Sequence, residues 1–223
     1  FAMTRRSLGL WLAVGWIGVA ALPWNAIGGQ GFFSLGWLTA YPLELRAAPA
    51  AVQLLLHGRL WLLPLVVALA IPTVAFAGGF AARGVARWLI VAGAVGLAAI
   101  LAIALAIDIN GWTWRPLTAI FGDLTGRQPG LGSGALAVAA AALMFLCQGL
   151  ALRGWVKGDA FVAGAIGASV ALVGLFTLYP VARILVRALL DRDGNVSLAA
   201  LSGRIASSRV WGYGGVVWNT LQL

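Results

Sequence analysis

Residues 88–107 read WLIVAGAVGLAAILAIALAI, twenty consecutive residues with no charge and no strongly polar side chain. An α-helix rises about 1.5 Å per residue, so such a run crosses the roughly 30 Å of bilayer hydrocarbon. Four further segments, Leu8–Leu22, Leu60–Phe76, Ala135–Leu152 and Phe161–Leu178, have the same character. A sixth begins near Trp211 and is cut off. The sequence therefore predicts an all-α, polytopic transmembrane helical bundle with five complete spans plus the start of a sixth.

Composition agrees with that reading. Of 223 residues, 62% are hydrophobic and 9% charged, against about a quarter charged in ordinary globular domains. Mean hydropathy is +0.97. These values exclude a soluble domain and a disordered tail. Cys147 is the only cysteine and His57 the only histidine, which excludes a disulfide scaffold and a cysteine-based metal cluster. The net charge of +9 does not mark a nucleic-acid partner, because the arginines are scattered between apolar runs and form no single basic face. The chain opens Phe1-Ala2-Met3, with Met3 as a plausible start, and stops inside an unfinished apolar run. We read it as part of a longer protein, truncated on its C-terminal side. Leu22-Pro23-Trp24 follows the first span where a small-residue cleavage site would stand, so that span reads as an uncleaved signal anchor.

Orientation follows from basic residues in short loops. If the spans alternate, Arg5, Arg6, Arg83, Arg87, Arg153 and Lys157 share one side in three short segments. The long segments opposite carry Glu44, Asp108, Asp123, Asp191 and Asp193. That density predicts a cytoplasmic N-terminus, with the long loops outside. Trp24, Phe32, Phe33, Trp37, Tyr41, Trp112 and Trp114 crowd those loops, and such rings favour the headgroup layer. Pro49 and Pro116 stand where they can open short interfacial helices over Ala50–His57 and Leu117–Leu124.

Within the spans, Ala163, Gly164, Gly167, Ala168 and Ala171 form small-xxx-small pairs, as do Ala92 with Gly96 and Ala94 with Ala98. Such pairs let helices approach closely in lipid. Pro64 and Pro72 fall near one face of the second span and favour bends. A weak repeat relates Ala81-Ala82-Arg83-Gly84 and Val91–Gly96 to Ala151-Leu152-Arg153-Gly154 and Val162–Gly167, compatible with a duplicated helical hairpin.

Chemistry-bearing patterns are sparse. No H-E-x-x-H, G-x-S-x-G or phosphate-cradling G-x-x-x-x-G-K-[ST] occurs, and we assign no catalytic, cofactor-binding or metal-binding residue. His57 reads as an interfacial side chain and Cys147 as a small core residue. Gln148 is the one strongly polar side chain deep in a complete span. An intramembrane amide is a candidate for function, although an interhelical hydrogen bond suffices to explain it.

The final third has a distinct pattern. Leu178-Tyr179-Pro180 ends a span, and a helix with Arg183 and Arg187 on one face follows. Next come Asp191-Arg192-Asp193-Gly194, with Val196-Ser197-Leu198, and later Trp218-Asn219-Thr220-Leu221 at a membrane re-entry. As bare physics, this is a span ending at a proline and running on as a surface helix, then a turn and a polar linker that re-enters the membrane.

This stretch resembles the opening of binding-protein-dependent ABC transporter permeases, particularly the ferric-iron uptake type. The segment from Met3 through Trp24 is similar to the N-terminal extension of their long members. The resemblance implies a transmembrane extension of four spans over residues 1–158 and the start of a permease core over 159–223. It implies a multi-pass protein of the bacterial inner membrane, partnered by a separate ATPase subunit and a periplasmic solute-binding protein. No cofactor and no catalysis are expected of this chain itself. Asn219 matches the family pattern at the re-entry element, where its role is to start a helix. Thiamine, phosphonate and polyamine permeases share this opening, so the solute stays open. Two rival readings are a non-transporting membrane scaffold or assembly subunit and, last, an integral-membrane enzyme acting on lipids.

Overall fold

Glycine and alanine at regular spacing decide how the apolar runs meet. The computed structural model describes residues 5–27, 35–78, 82–124, 126–191, 194–213, 215 and 217–218. Its elements in chain order are α1 (Arg5–Ala20), α2 (Ala50–Leu56), α3 (Leu63–Ala77), α4 (Ala82–Ala106), β1 (Ile107–Asp108), β2 (Gly111–Trp112), α5 (Arg115–Phe121), α6 (Ser133–Leu152), α7 (Ala160–Val173), α8 (Tyr179–Leu189), α9 (Leu198–Ile205) and α10 (Ser208–Trp211).

Among the described residues, four helices are long and apolar enough to cross a membrane: Leu60–Ala77, Gly84–Ala106, Ser133–Leu152 and Ala160–Leu189. The protein is thus a largely helical membrane protein. The first expected span is a helix of 16 residues, about 24 Å long. The sixth falls mostly outside the described residues, as does Asn219.

The helix α6 is central. Half of its most apolar window is buried, against about a tenth for Ala160–Leu189. It packs against α1, α3, α4 and α7. Phe145 and Val138 of α6, Leu65 and Leu69 of α3, and Leu89 of α4 fill the middle of this bundle. Small residues set the spacing. An added Cβ on Gly93 would lie 2.5 Å from the Ala142 carbonyl, and one on Gly149 2.8 Å from that of Ala86.

The small-residue pairs are half in contact. Ala92 and Gly96 are buried, whereas Ala94 and Ala98 face out; Ala163 and Gly164 are buried, whereas Ala168 and Ala171 are exposed. The two copies of the weak repeat do the same packing: Gly93 and Gly96 meet α6 from one side, Gly164 and Gly167 from the other.

The prolines divide by position. Pro64 occupies the first turn of α3, where a missing N–H is harmless. Pro72 lies inside the helix and is buried. Pro116 opens α5, and Pro49 stands just before α2, close to the expected helix starts.

As expected, the fifth span runs on past the proline as helix. Helix runs without a break from Ala160 to Leu189, through a π-type turn at Gly174–Leu178. Pro180 has no N–H to return to the preceding turn, and the Tyr179 N–H reaches back five residues to the Gly174 carbonyl. The helix absorbs the proline by widening locally. The 30-residue result is about 45 Å long. Its outward side is apolar from Phe161 through Leu185 apart from Ser169 and Thr177.

Alternation of the helices gathers the loops into two groups. At one end lie Arg6, Arg87, Arg153 and Lys157. At the other, the long loops are tied together: the Trp24 N–H bonds the Ala48 carbonyl, Ala26 bonds Gly130, Gln128 bonds Ile109, and Arg115 bonds Gly194.

Candidate functional site

Two polar assemblies sit at the loop-rich end, and one polar pair lies between helices. The first assembly joins α8 to the end of α4. Tyr179, Arg183 and Arg187 recur every fourth residue, so they share one face of α8. The Tyr179 hydroxyl donates to the Ala104 carbonyl at 3.1 Å. Arg183 Nη1 donates to the carbonyls of Ala104 at 3.0 Å and Leu105 at 3.3 Å. Its Nη2 pairs with Asp108 Oδ1 at 3.0 Å, and Arg187 pairs with Asp108 Oδ2. The last carbonyls of a helix have no intrahelical partner and carry partial negative charge. Arg183 therefore caps α4 from a neighbouring helix.

Asp108 is positioned by the β1–β2 hairpin, whose register pairs Asp108 with Gly111. Desolvation tends to raise the Asp108 pKa. The Ile109 N–H on its carboxylate and the two guanidinium groups outweigh that, so the group sits below the usual carboxylate value. The opposite face of α8 presents Val181, Ile184 and Leu185, all well exposed. Arg183 is turned inward at 20% exposure and Arg187 stays exposed, so the helix offers lipid an apolar side and keeps Arg187 at its edge.

The second assembly centres on Gln53, which is fully buried. Its Nε2 donates to the carbonyls of Ala48 at 2.9 Å and Leu45 at 3.3 Å. Its Oε1 accepts from Arg59 Nη1 at 3.1 Å. Asn25 Nδ2 also donates to the Leu45 carbonyl, which ties the α1 exit to the α2 loop. Arg59 lies over the Trp61 ring, 5.4 Å from its centroid. Trp61 in turn makes edge contacts with Trp112 and Phe121. Burial lowers the Arg59 pKa from its ordinary value.

Gln148 is buried and its Nε2 donates to Ser7 Oγ at 2.8 Å, bridging α6 and α1. Its Oε1 has no hydrogen-bond partner. Replacing Gln148 by leucine removes one hydrogen bond and one orphaned acceptor together. Bridging bonds in membranes average under about 1 kcal/mol, so Gln148→Leu should leave the melting temperature in detergent nearly unchanged. A large loss in that melt would mean that the amide does more than bridge.

The other candidates sit as follows. His57 is exposed, with Nε2 3.1 Å from the Leu43 carbonyl. Cys147 is buried and free. Trp24, expected at the headgroup layer, is 2% exposed and belongs to the core. It sits where α1 ends because its backbone bonds to both Ala48 and Gly132. Among the described residues no three His, Cys, Asp or Glu side chains come together. A cavity of about 510 Å³ is lined by Ile109, Asn110, Leu124, Gly126 and Arg127; its one charged group is Arg127.

Sequence reading passed over Gln53 and Asn25. A glutamine inside the apolar run Ala50–Leu56 was the available signal. Asp108 was noticed only as an acid on the loop-rich side, and nothing local in the sequence pairs it with Arg183, 75 residues away. Comparison of the chain with family models, curated proteins and solved structures finds no match.

Proposed function

We propose that this chain is the N-terminal part of a permease subunit of an ABC importer. In this reading it passes a solute, ferric iron first, from a periplasmic binding protein across the bacterial inner membrane. A separate ATPase supplies the energy. The N-terminus and the basic turns face the cytoplasm, and five spans precede a sixth.

The observation that carries the reading is the long helix Ala160–Leu189. It contributes little to the bundle, with about a tenth of its window buried, and it offers a flank to further spans. It also leads into the Asp191–Leu198 stretch, whose pattern resembles the permease opening. The scaffold alternative has its own support. The bundle of α1, α3, α4 and α6 is filled by Phe145, Leu62, Leu65 and Leu69, so a solute path would need other helices.

Uptake and co-purification separate these readings. Residues 1–223 alone should insert but neither retain the ATPase nor support uptake of radiolabelled ferric iron. A chain extended past Leu223 through its remaining spans should do both. Reporter fusions after Arg87 and Lys157 should read cytoplasmic, and those at Gln128 and Asn195 periplasmic. ATPase held by the fragment at full yield would move coupling to the start of α4 at Arg83–Arg87 or to the Arg153–Lys157 turn. An extended chain with no uptake of iron, thiamine, phosphonate or polyamine would leave the scaffold.

A further inference from the structure

We propose that Arg59 and the leucines around it hold a membrane phospholipid, with the guanidinium on the lipid phosphodiester. Four observations converge on this. Arg59 is half-buried, yet among the described residues the ion pairs all involve Asp108, held by Arg183 and Arg187. Glu44, in the neighbouring loop, is exposed and makes no ion pair with it. A guanidinium carries five N–H donors. One meets Gln53 Oε1, and the others find no acceptor among the described residues. A desolvated cation without a counter-charge is costly, and a bidentate phosphate matches its planar fork.

The surroundings select a lipid as the source of that phosphate. Leu55, Leu56, Leu60 and Leu63 flank Arg59 along the chain and are 79%, 65%, 60% and 48% exposed. Exposed leucines at the mouth of a spanning helix meet acyl chains. Trp61 lies against the arginine and makes edge contacts with Trp112 and Phe121, and tryptophan is a ring type that marks headgroup depth. A phosphate at this level belongs to a headgroup. Gln53 holds the guanidinium from behind through the Nη1 bond, and the Trp61 face limits its swing. The group is therefore oriented before any lipid arrives. Arg46 is an exposed arginine on the neighbouring loop, before α2, and lacks this framing.

Native mass spectrometry of the detergent-purified chain tests the proposal, with phosphatidylglycerol as probe and diacylglycerol of identical chains as its phosphate-free counterpart. The unaltered protein should retain one phosphatidylglycerol at least about tenfold more strongly than diacylglycerol, as expected for one charge-assisted contact. Arg59→Gln should lose that preference, Arg59→Lys should keep part of it, and Arg46→Gln should keep all of it. Equal retention of both lipids by the unaltered protein would overturn the proposal, whether or not any variant folds. So would undiminished preference in a folded Arg59→Gln protein. Displacement of the lipid by inorganic phosphate would assign the site to a free anion and likewise refute a lipid site.

Discussion

Gly93→Leu should separate α4 from α6 and lower the melting temperature in detergent sharply. A Cβ at position 93 would lie 2.5 Å from both the Ala142 carbonyl oxygen and the Leu146 backbone nitrogen, and 2.8 Å from Leu146 Cβ. Two of those three atoms are helix backbone, which cannot rotate aside. The helices must move apart, and dispersion contacts along the interface are lost with the separation. Overpacking typically costs about 1–3 kcal/mol; backbone on the opposing side puts this change at about 3 kcal/mol. Gly84→Leu is the matched control, because Gly84 lies in the same helix with nothing within 4 Å of an added Cβ. It should melt like the parent or slightly higher, since leucine favours helix over glycine. Similar melting of the two variants would show that α4 and α6 do not meet through Gly93.

Asp108→Asn should release α8 from the end of α4. The Arg183 and Asp108 side chains are 20% and 28% exposed, so their pairing lies between surface and buried cases. Exposed pairs contribute at most about 1 kcal/mol and broken buried pairs cost about 3–5; about 2 kcal/mol is expected here. Arg183 would keep its bonds to Ala104 and Leu105 but lose its counter-charge. In a double-mutant cycle with Arg183→Gln, the two losses should be well below additive. Strict additivity would mean that the ion pair contributes nothing.

The pH dependence has a definite sign. A carboxyl whose folded pKa is depressed contributes stability above its unfolded value, near about 3.9. That stability is lost as pH falls through the lower folded value. The α8 attachment should therefore be unchanged between neutral and mildly acidic solution and weaken only in strong acid. The Asp108→Asn protein should lack this acid-dependent part.

The candidate site was only partly legible in the sequence. Gln148 could be singled out because an amide in an apolar run is visible by itself. Its orphaned Oε1 and its Ser7 partner, 141 residues away, could not. Arg183 and Arg187 were legible as one helical face, but the face alone does not say whether it meets water or protein. Surface exposure was assumed because arginine is usually solvated. The end of α4 offered unpaired carbonyls and a carboxylate, which draw Arg183 in while Arg187 stays exposed.

By itself, the sequence determined where the chain can cross a membrane. Length and hydropathy of a run are local properties, and the hydrocarbon thickness sets a threshold that Leu60–Ala77, Ala82–Ala106 and Ser133–Leu152 meet without reference to neighbours. The short helices beginning near Pro49 and Pro116 were equally local, because proline suits the start of a helix. Only the tertiary structure decided that α6 is the centre, that Ala92 and Gly96 pack while Ala94 and Ala98 face out, and that a π-type turn carries the helix past Pro180. Apolar helices of nearly equal composition are interchangeable in sequence, since lipid and protein interiors are similarly apolar. What distinguishes them is steric fit between specific small residues and opposing backbone, and pairing of charges far apart in the chain. Both exist only once the helices are in place.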